Sequence, residues 1–408
     1  MCIKYIIFLI MTFCVCKVNA QNYSIDQLNS KAKAGDKWAQ YQLAIKYYDG
    51  KEVQQDYAKA VELWTKSANQ NYRYSQAALG YCYEMGIGVE KNYGTAATLY
   101  EKAAKQHYHN ASLTIGKWYF WGTNVTKMPN AAFEYLKDAA WGGIAEGKYY
   151  LGCCYMYGYG VQRDSKKAIL WFNRAADSGY TYAYYEKAMM YEYGRGVDKD
   201  LEKAYMMLYD GALMYGDSYC YNGLATYYKL GKYVNVDTLQ AIEYYEQAAN
   251  KENIEAMKNL ANIYLSKSEY NDLRKAAQCC EKAAEYQDLD CFLKAVEIFE
   301  HLGDDKEVFR IAQRFSTVNV CDALNLLAYC YAQGRGTSID YNKAITTIDK
   351  AINIAPQDAN YYDSKGEILL MMGQKRKAKQ MWEKVKNIDP TYYTKQDTEL
   401  NKKMIIDK

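Results

Sequence analysis

Apolar residues recur along the chain at a nearly constant interval. Alanines mark this interval in steps of 36 residues, and then of 37 and 35, at Ala68, Ala104, Ala140, Ala176, Ala212, Ala249 and Ala284. Larger apolar residues recur at a second position of the same interval, at Leu43, Leu79, Ile115, Leu151, Leu224 and Leu260. Lys187 interrupts this second series. Two marks in each period predict two structural elements in each repeating unit.

Each period contains two amphipathic segments with a glycine turn between them. In one unit the apolar residues follow helical spacing on both segments, at Leu79, Cys82 and Tyr83 and then at Ala96, Leu99, Tyr100 and Ala103. The turn reads Gly-x-Gly-Val at 86–89, 158–161 and 194–197, with a variant at 334–337. Helices commonly end at glycine because the terminating residue adopts a positive φ. The pattern predicts helix pairs.

Such helix pairs must stack on one another, because each pair alone leaves an apolar face uncovered. A chain of 408 residues also exceeds the size of one compact core. Only three prolines interrupt it, which suits helices. We predict an all-α fold, a right-handed α-α superhelical solenoid of about ten helix-turn-helix repeats.

One long motif is characteristic of a known family. It runs from Tyr149 through the glycine turn to Val161 and continues at Asp164, Lys167, Ala168, Trp171, Arg174, Ala175 and Ala176. This motif resembles the Sel-one-like repeat (SLR) family, a branch of the tetratricopeptide-like helical solenoids. Residues 359–366, with Gly373, Ala378 and Asp389-Pro390, resemble a tetratricopeptide (TPR) repeat.

We expect the following organisation of the chain. A signal peptide occupies 1–20, an N-terminal capping helix 21–33 and SLR units 34–250. Degenerate helical hairpins occupy 251–316, a further SLR unit 317–352, a TPR repeat 353–392, and a polar tail or capping helix 393–408.

The first 20 residues have the pattern of a secretory leader. A basic start is followed by an apolar run at 5–15 and small residues up to Ala20. We expect cleavage after Ala20 and export to the periplasm or the cell exterior, with a lipoprotein modified at Cys14 or Cys16 as the alternative. The apolar run is shorter than the roughly 20 residues that span a bilayer, so we expect no transmembrane segment.

Charge gives little attraction for polyanions. The formal net charge of +3 becomes +1 when Lys4 and Lys17 are removed with the leader. A near-neutral exported protein is a poor candidate for binding nucleic acid. We therefore expect a protein or peptide partner, no nucleic acid, and a monomer.

Candidate chemistry is sparse. Of the three histidines, His107 and His109 fall at a junction between units, where a solvated loop is favoured over a metal site. The glycine turns lack the G-x-G-x-x-G and GK[ST] patterns of phosphate-binding loops, and HExxH and GxSxG are missing. We predict no catalytic residue, metal or cofactor.

Nine cysteines remain after the leader is removed. Cys82, Cys154 and Cys330 share one repeat position and are expected to fill the core as small apolar residues. A disulfide that joins Cys279 or Cys280 to Cys291 is the best candidate for a bridge, and it stays open.

The first helix of each unit is the candidate binding element, because in tetratricopeptide-like solenoids this helix faces a concave groove. The resemblance transfers the groove positions, by phase, to Trp38, Tyr41, Tyr48, Tyr74, Tyr81, Glu84, Glu146, Tyr149, Met156, Tyr182, Tyr185 and Glu192. Tyrosines on one face are typical of a recognition surface. Packing of these rings between adjacent layers is the alternative.

The sequence thus favours an exported, non-enzymatic repeat scaffold that binds a protein or peptide in a tyrosine-rich groove. Two alternatives remain open at this point. One is a β-lactamase-like exported hydrolase, which some cysteine-rich SLR relatives suggest although no S-x-x-K set is present. The other is a carbohydrate-binding envelope protein, because aromatic faces also stack on sugars.

Overall fold

The structure is a computed structural model, which describes residues 23–392 except 267, 287 and 319. The predicted leader at 1–20 and the predicted polar tail at 393–408 lie outside the described residues. The described part contains 21 α-helices, one π-helical turn and no β-strand. It divides into two compact units at Tyr244 and Tyr245.

The first unit contains helices α1 to α12. Their bounds are α1 Ile25–Lys33, α2 Lys37–Asp49, α3 Tyr57–Asn69, α4 Arg73–Met85, α5 Tyr93–Ala104, α6 His109–Trp121, α7 Pro129–Trp141, α8 Ala145–Tyr157, α9 Ser165–Asp177, α10 Tyr182–Tyr193, α11 Leu201–Tyr209 and α12 Ser218–Leu230. A π-helical turn, Asp210–Met214, extends α11.

Helix α13, Thr238–Ala249, contains the boundary residues, and the second unit continues with eight further helices. Their bounds are α14 Ile254–Leu265, α15 Leu273–Ala284, α16 Leu289–His301, α17 Asp305–Ser316, α18 Cys321–Gln333, α19 Tyr341–Ile354, α20 Ala359–Met371 and α21 Lys375–Ile388. No helix of the described part is both long and apolar enough to cross a bilayer.

After α1 the helices alternate as first and second members of ten consecutive pairs. In the first unit, both members pack together in each pair from α2/α3 to α10/α11, and each second helix packs on the next first helix. The predicted all-α fold of stacked helix pairs is confirmed.

The repeat marks of the sequence are core residues. Ala68, Ala104, Ala140, Ala176 and Ala212 are buried near the ends of second helices, and the large apolar marks from Leu43 to Leu260 are buried on first helices. Small alanines let neighbouring helices approach closely, and large rings fill the space that remains between them. The fully buried examples include Trp64, Tyr100 and Phe172.

The two glycines of each turn have different tasks, as the turn at 158–161 illustrates. Gly158 ends α8 in the left-handed conformation, with φ of 71°. A Cβ on Gly160 would lie 2.1 Å from the carbonyl oxygen of Pro129, the first residue of α7. The first glycine therefore reverses the chain, and the second lets the turn contact the preceding repeat.

An aspartate or asparagine that follows each glycine turn caps the second helix. An Asp164 carboxylate oxygen accepts a hydrogen bond from the backbone N–H of Lys167 at 2.9 Å, and Asp200 and Lys203 repeat this bond at 2.9 Å. A side-chain acceptor at this position satisfies a backbone donor that has no partner within the helix. The D-x-x-K spacing of the motif is thus a helix start.

Candidate protein-binding surface

The predicted groove residues all lie on first helices of the first unit, but their exposure divides them. Seven are half-buried: Trp38, Tyr74, Tyr81, Glu84, Glu146, Tyr182 and Tyr185. Five are buried: Tyr41, Tyr48, Tyr149, Met156 and Glu192. The buried residues cannot offer much area to a partner, so only the half-buried ones are available as surface.

The structure brings the tyrosines of adjacent first helices into contact in two places. Near the start of the unit, Tyr74 lies with its ring centroid 6.0 Å from that of Tyr41 and 5.2 Å from that of Tyr108. Four repeats into the unit, Tyr182 lies 5.3 Å from Tyr149 and 4.5 Å from Tyr219. The Tyr41–Tyr74 contact is tilted and the other three are edge-to-face, an arrangement that is favourable for aromatic rings at these distances.

The second of these places, called the tyrosine cluster below, has five members. Tyr149 also contacts Tyr180 at 4.9 Å between centroids, and Tyr185 contacts both Tyr182 and Tyr219 at 5.8 Å. Tyr149 is buried at the base of the cluster, whereas 44% of Tyr219 is exposed. The cluster therefore reaches from the core to solvent across α8, α10 and α12.

Other predicted residues serve the packing. Tyr48 points between its own helix pair, with its ring 5.3 Å from Tyr57 and 5.5 Å from Trp64. Trp38 packs edge-on against Tyr23 at 5.6 Å. Met156 is almost fully buried. These three residues pack within or between helix pairs, as the alternative to a groove role predicted.

The three predicted glutamates each have a partner within the protein. A Glu84 oxygen accepts a hydrogen bond from the Tyr100 hydroxyl at 2.8 Å. Glu146 pairs with Lys117 at 2.5 Å, and the buried Glu192 pairs with Lys232 at 2.7 Å. Glu84 and Glu146 each connect two helices, and Glu192 connects α10 to the turn that follows α12.

The most exposed apolar side chains on the first helices form a row that the groove prediction missed. Its members, called the exposed row below, are each the last residue of a first helix: Trp121, Tyr157, Tyr193 and Leu230. Between 54% and 62% of each residue is exposed. Large apolar side chains exposed at one repeat position are typical of an interaction site.

A sequence signal for the exposed row exists. Each member directly precedes the glycine that ends its helix, and the members are 36, 36 and 37 residues apart. The groove positions transferred from the family lie one residue earlier, at Met156 and Glu192, which are buried. A shift of one residue rotates a helix position by about 100°.

Members of the exposed row reach toward the next first helix. The Trp121 Nε1 donates a weak hydrogen bond to the Tyr150 hydroxyl at 3.4 Å. One repeat later, burial and then the charge of Glu186 raise the pKa of Tyr157. Tyr150 and Glu186 are themselves 36 residues apart and occupy the same repeat position.

The histidine pair at the junction between α5 and α6 is tied to one carboxylate. The Nδ1 atoms of His107 and His109 lie 2.7 Å and 3.1 Å from oxygens of Asp138, and the Ser112 hydroxyl donates to Asp138 at 2.6 Å. Burial alone would raise the pKa of Asp138, but these hydrogen bonds outweigh it and lower that pKa. Of the two histidines expected in a solvated loop, His107 is well exposed, whereas His109 is half-buried and is the first residue of α6.

Most cysteines of the described residues are buried in the core. Cys82, Cys154 and Cys330 are fully buried, which confirms their predicted role as small core residues. Every cysteine of the described residues is a free thiol, so the candidate bridge to Cys291 is not formed. Among those same residues, no group of three or more His, Cys, Asp or Glu is arranged to hold a metal ion.

Stacked helix pairs with an aromatic first-helix surface define an α-helical repeat scaffold. The Sel1 repeat family matches the chain eight times, at 39–72, 73–108, 114–140, 145–180, 181–213, 218–253, 254–285 and 321–346. These matches cover more than half of the sequence, and the chain belongs to the Sel1 repeat family. One match, at 254–285, lies entirely within the segment 251–316 that was expected to be degenerate.

Solved structures with the same repeat are similar to this chain. A Sel1 repeat protein from Oxalobacter formigenes has 30% sequence identity and a TM-score of 0.54, with 60% of this chain and 96% of that chain covered. The protein c5321, a protective antigen of uropathogenic Escherichia coli strains with an SLR fold, has 21% identity and a TM-score of 0.41, over 91% and 94% of the two chains. A comparison with curated proteins gives no match.

Proposed function

We propose that this protein is an exported, non-enzymatic scaffold whose first-helix surface, in the first unit, forms a groove that binds a segment of another protein. The observation that carries the proposal is the exposed row beside the tyrosine cluster. Rigid aromatic side chains supply large contact area at a low cost in conformational entropy. Helices built into a stacked repeat hold that area in place before the partner arrives.

A second feature supports a binding role. The exposed row places one side chain at the end of each of α6, α8, α10 and α12, so the helix-pair repeat sets the spacing of its members. An extended peptide meets such a surface at several successive side chains, which is how repeat proteins commonly bind. The expected anchors on this side are Trp121, Tyr157 and Tyr193, since aromatic residues dominate binding hot spots.

The test uses a random-peptide phage library selected on the immobilised protein. Selected peptides are synthesised, and their dissociation constants are measured for the parent and for the triple variant Trp121→Ala, Tyr157→Ala, Tyr193→Ala. We expect the triple variant to weaken binding at least about 30-fold, the effect of losing one or two hot-spot contacts.

A matched control removes equally exposed apolar side chains from second helices. The control variant is Leu170→Ala, Met206→Ala, Leu239→Ala, at positions that are 47% to 65% exposed. It should bind the peptides like the parent, and circular dichroism should show the same helicity for all three proteins. Equal binding by the parent and the triple variant would refute the proposed surface.

Export rests on the N-terminal sequence pattern. Expressed in a bacterium with its own first 20 residues, the protein should be recovered from the periplasm or medium, with Gln21 as the first residue by intact mass. Recovery from the cytoplasm with an intact N-terminus would contradict export. Recovery with a lipid-modified Cys16 would favour the lipoprotein alternative.

A further inference from the structure

One carboxylate on the first-helix surface of the first unit lies beside the tyrosine cluster without an ion pair. Glu186 lies on α10 directly after Tyr185 and is half-buried. The Tyr149 hydroxyl donates to its Oε1 at 3.4 Å, a long hydrogen bond. None of the ion pairs formed by the described residues includes Glu186. Glu146 and Glu192, by contrast, each contact a lysine.

Tyrosines of α8 and α10 lie near this carboxylate. Burial and then the charge of Glu186 raise the pKa of both Tyr182 and Tyr185, the latter to about 12. The same two causes raise the pKa of Tyr157. Burial also raises the pKa of Tyr149, and the charge of Glu186 adds to that increase. The charge of Glu186 thus acts on four phenols of α8 and α10, and one of these, the Tyr149 hydroxyl, contacts the carboxylate directly.

Holding a carboxylate there costs stability. A charge that is withdrawn from water is destabilising unless a counter-charge or several hydrogen bonds compensate it. Burial accordingly raises the pKa of Glu186 above its ordinary value. Packing does not require glutamate at this place, because the equivalent residue one repeat earlier is Tyr150.

The neighbouring basic side chains are directed elsewhere. Arg195 lies over the ring of Tyr193, 4.9 Å from its centroid, and lowers the pKa of Glu186 without forming an ion pair with it. Lys187 lies over the ring of Tyr184 at 5.1 Å. Neither basic side chain forms an ion pair with Glu186, so its carboxylate is available to a cation from a binding partner.

We propose that Glu186 and the rings of Tyr157, Tyr182 and Tyr219 form a pocket for one basic side chain, lysine or arginine, of the bound protein segment. The carboxylate would accept charge-assisted hydrogen bonds from the ammonium or guanidinium group. The aromatic faces would attract the same cation through their quadrupoles. Tyr157 and Tyr219, 62% and 44% exposed, would contact the alkyl part of the side chain at the rim.

This inference rests on the proposed function, since the cation belongs to the segment that occupies the first-helix surface. Its test uses the peptides selected on the full chain, together with copies in which each lysine is replaced by norleucine or each arginine by citrulline. Dissociation constants are measured by fluorescence anisotropy for the parent, for Glu186→Gln and for the control Glu134→Gln. Glu134 is exposed on α7 and pairs with Lys137.

We expect one basic residue per peptide whose neutral replacement weakens binding to the parent and to Glu134→Gln about tenfold, as for a hydrogen bond to a charged group. The same replacement should change binding to Glu186→Gln less than about twofold. Affinity for the basic peptide should also rise with pH as the Glu186 carboxyl ionises in the parent, and stay flat in Glu186→Gln.

Two results would overturn the inference while leaving the proposed function intact. In the first, peptides bind through the exposed row yet contain no basic residue. In the second, the neutral replacement weakens binding to the parent and to Glu186→Gln equally. If instead no selected peptide depends on the exposed row, the proposed function fails, and this inference fails with it.

Discussion

The hydroxyl of Tyr149 and the carboxylate of Glu186 face each other across two neighbouring repeats, with 3.4 Å between the donor and acceptor oxygens. Tyr149 is buried, whereas Glu186 is half-buried and has no ion-pair partner among the described residues. The pair therefore lies where the core ends and the candidate binding surface begins. Sites of function often retain such destabilising groups.

Glu186→Gln should stabilise the protein at neutral pH. Because burial raises the pKa of Glu186 in the folded state, the folded protein binds this proton more tightly than the unfolded chain. Stability is then lost as pH rises from the ordinary value of 4.5 through the raised pKa. We expect a gain of about 0.5 to 1 kcal/mol at pH 7 and none at pH 4, measured by urea denaturation. A less stable variant at pH 7 would contradict the assignment.

Asp138→Asn should destabilise the junction between α5, α6 and α7. Asp138 accepts hydrogen bonds from Ser112 and both histidines, and its lowered pKa means that the folded state favours the ionised form. The ionised Asp138 therefore stabilises the folded state above the ordinary aspartate pKa, and this stabilisation is lost as the pH falls through the lowered pKa of Asp138. We expect a loss of about 1 to 2 kcal/mol at pH 7.

The control for that experiment is Asp198→Asn, at an exposed aspartate of a glycine turn. Its unfolding midpoint should follow the parent from pH 7 to pH 3. The curves of Asp138→Asn and the parent should converge at the acid end. Curves that stay separated at low pH would show that the loss is steric and not due to the carboxylate.

Gly160→Ala should be clearly more destabilising than Gly179→Ala. Both glycines have positive φ, 71° and 86°, so alanine costs about 1 to 2 kcal/mol of backbone strain at each. Only at Gly160 would the new Cβ also meet backbone, 2.1 Å from the Pro129 oxygen, whereas nothing lies within 4 Å at Gly179. Chemical denaturation followed by circular dichroism measures the difference, and equal losses would contradict the close approach.

Thiol reactivity should separate the cysteines by burial. Burial raises the pKa of Cys82 and Cys154 to about 12, so neither forms appreciable thiolate at pH 8. Cys279 and Cys321 are half-buried and should react first with a thiol-specific reagent. In denaturant, the chain without its leader should show nine reactive thiols per molecule. A count of seven would indicate one disulfide.

Much of the architecture follows from local sequence. The alternation of alanine and leucine marks determined the helix pairs, and the glycine turns and D-x-x-K spacing determined where helices end and begin. These features act within a few residues of the chain through backbone conformation, capping and amphipathic spacing. That is why Gly158 and Asp164 could be assigned their structural tasks in advance.

The candidate binding surface could be predicted only in part from the local sequence. The sequence placed Tyr182 and Tyr185 on first helices, but Tyr149, at the same repeat position as Tyr185, is buried, while Tyr157 is exposed. Exposure depends on the rotation of each helix and on what the next repeat places against it, and only the tertiary structure decides both. Glu186 carries no sequence signal at all, because its distinction is an absent counter-charge, which becomes visible only when neighbouring repeats are stacked.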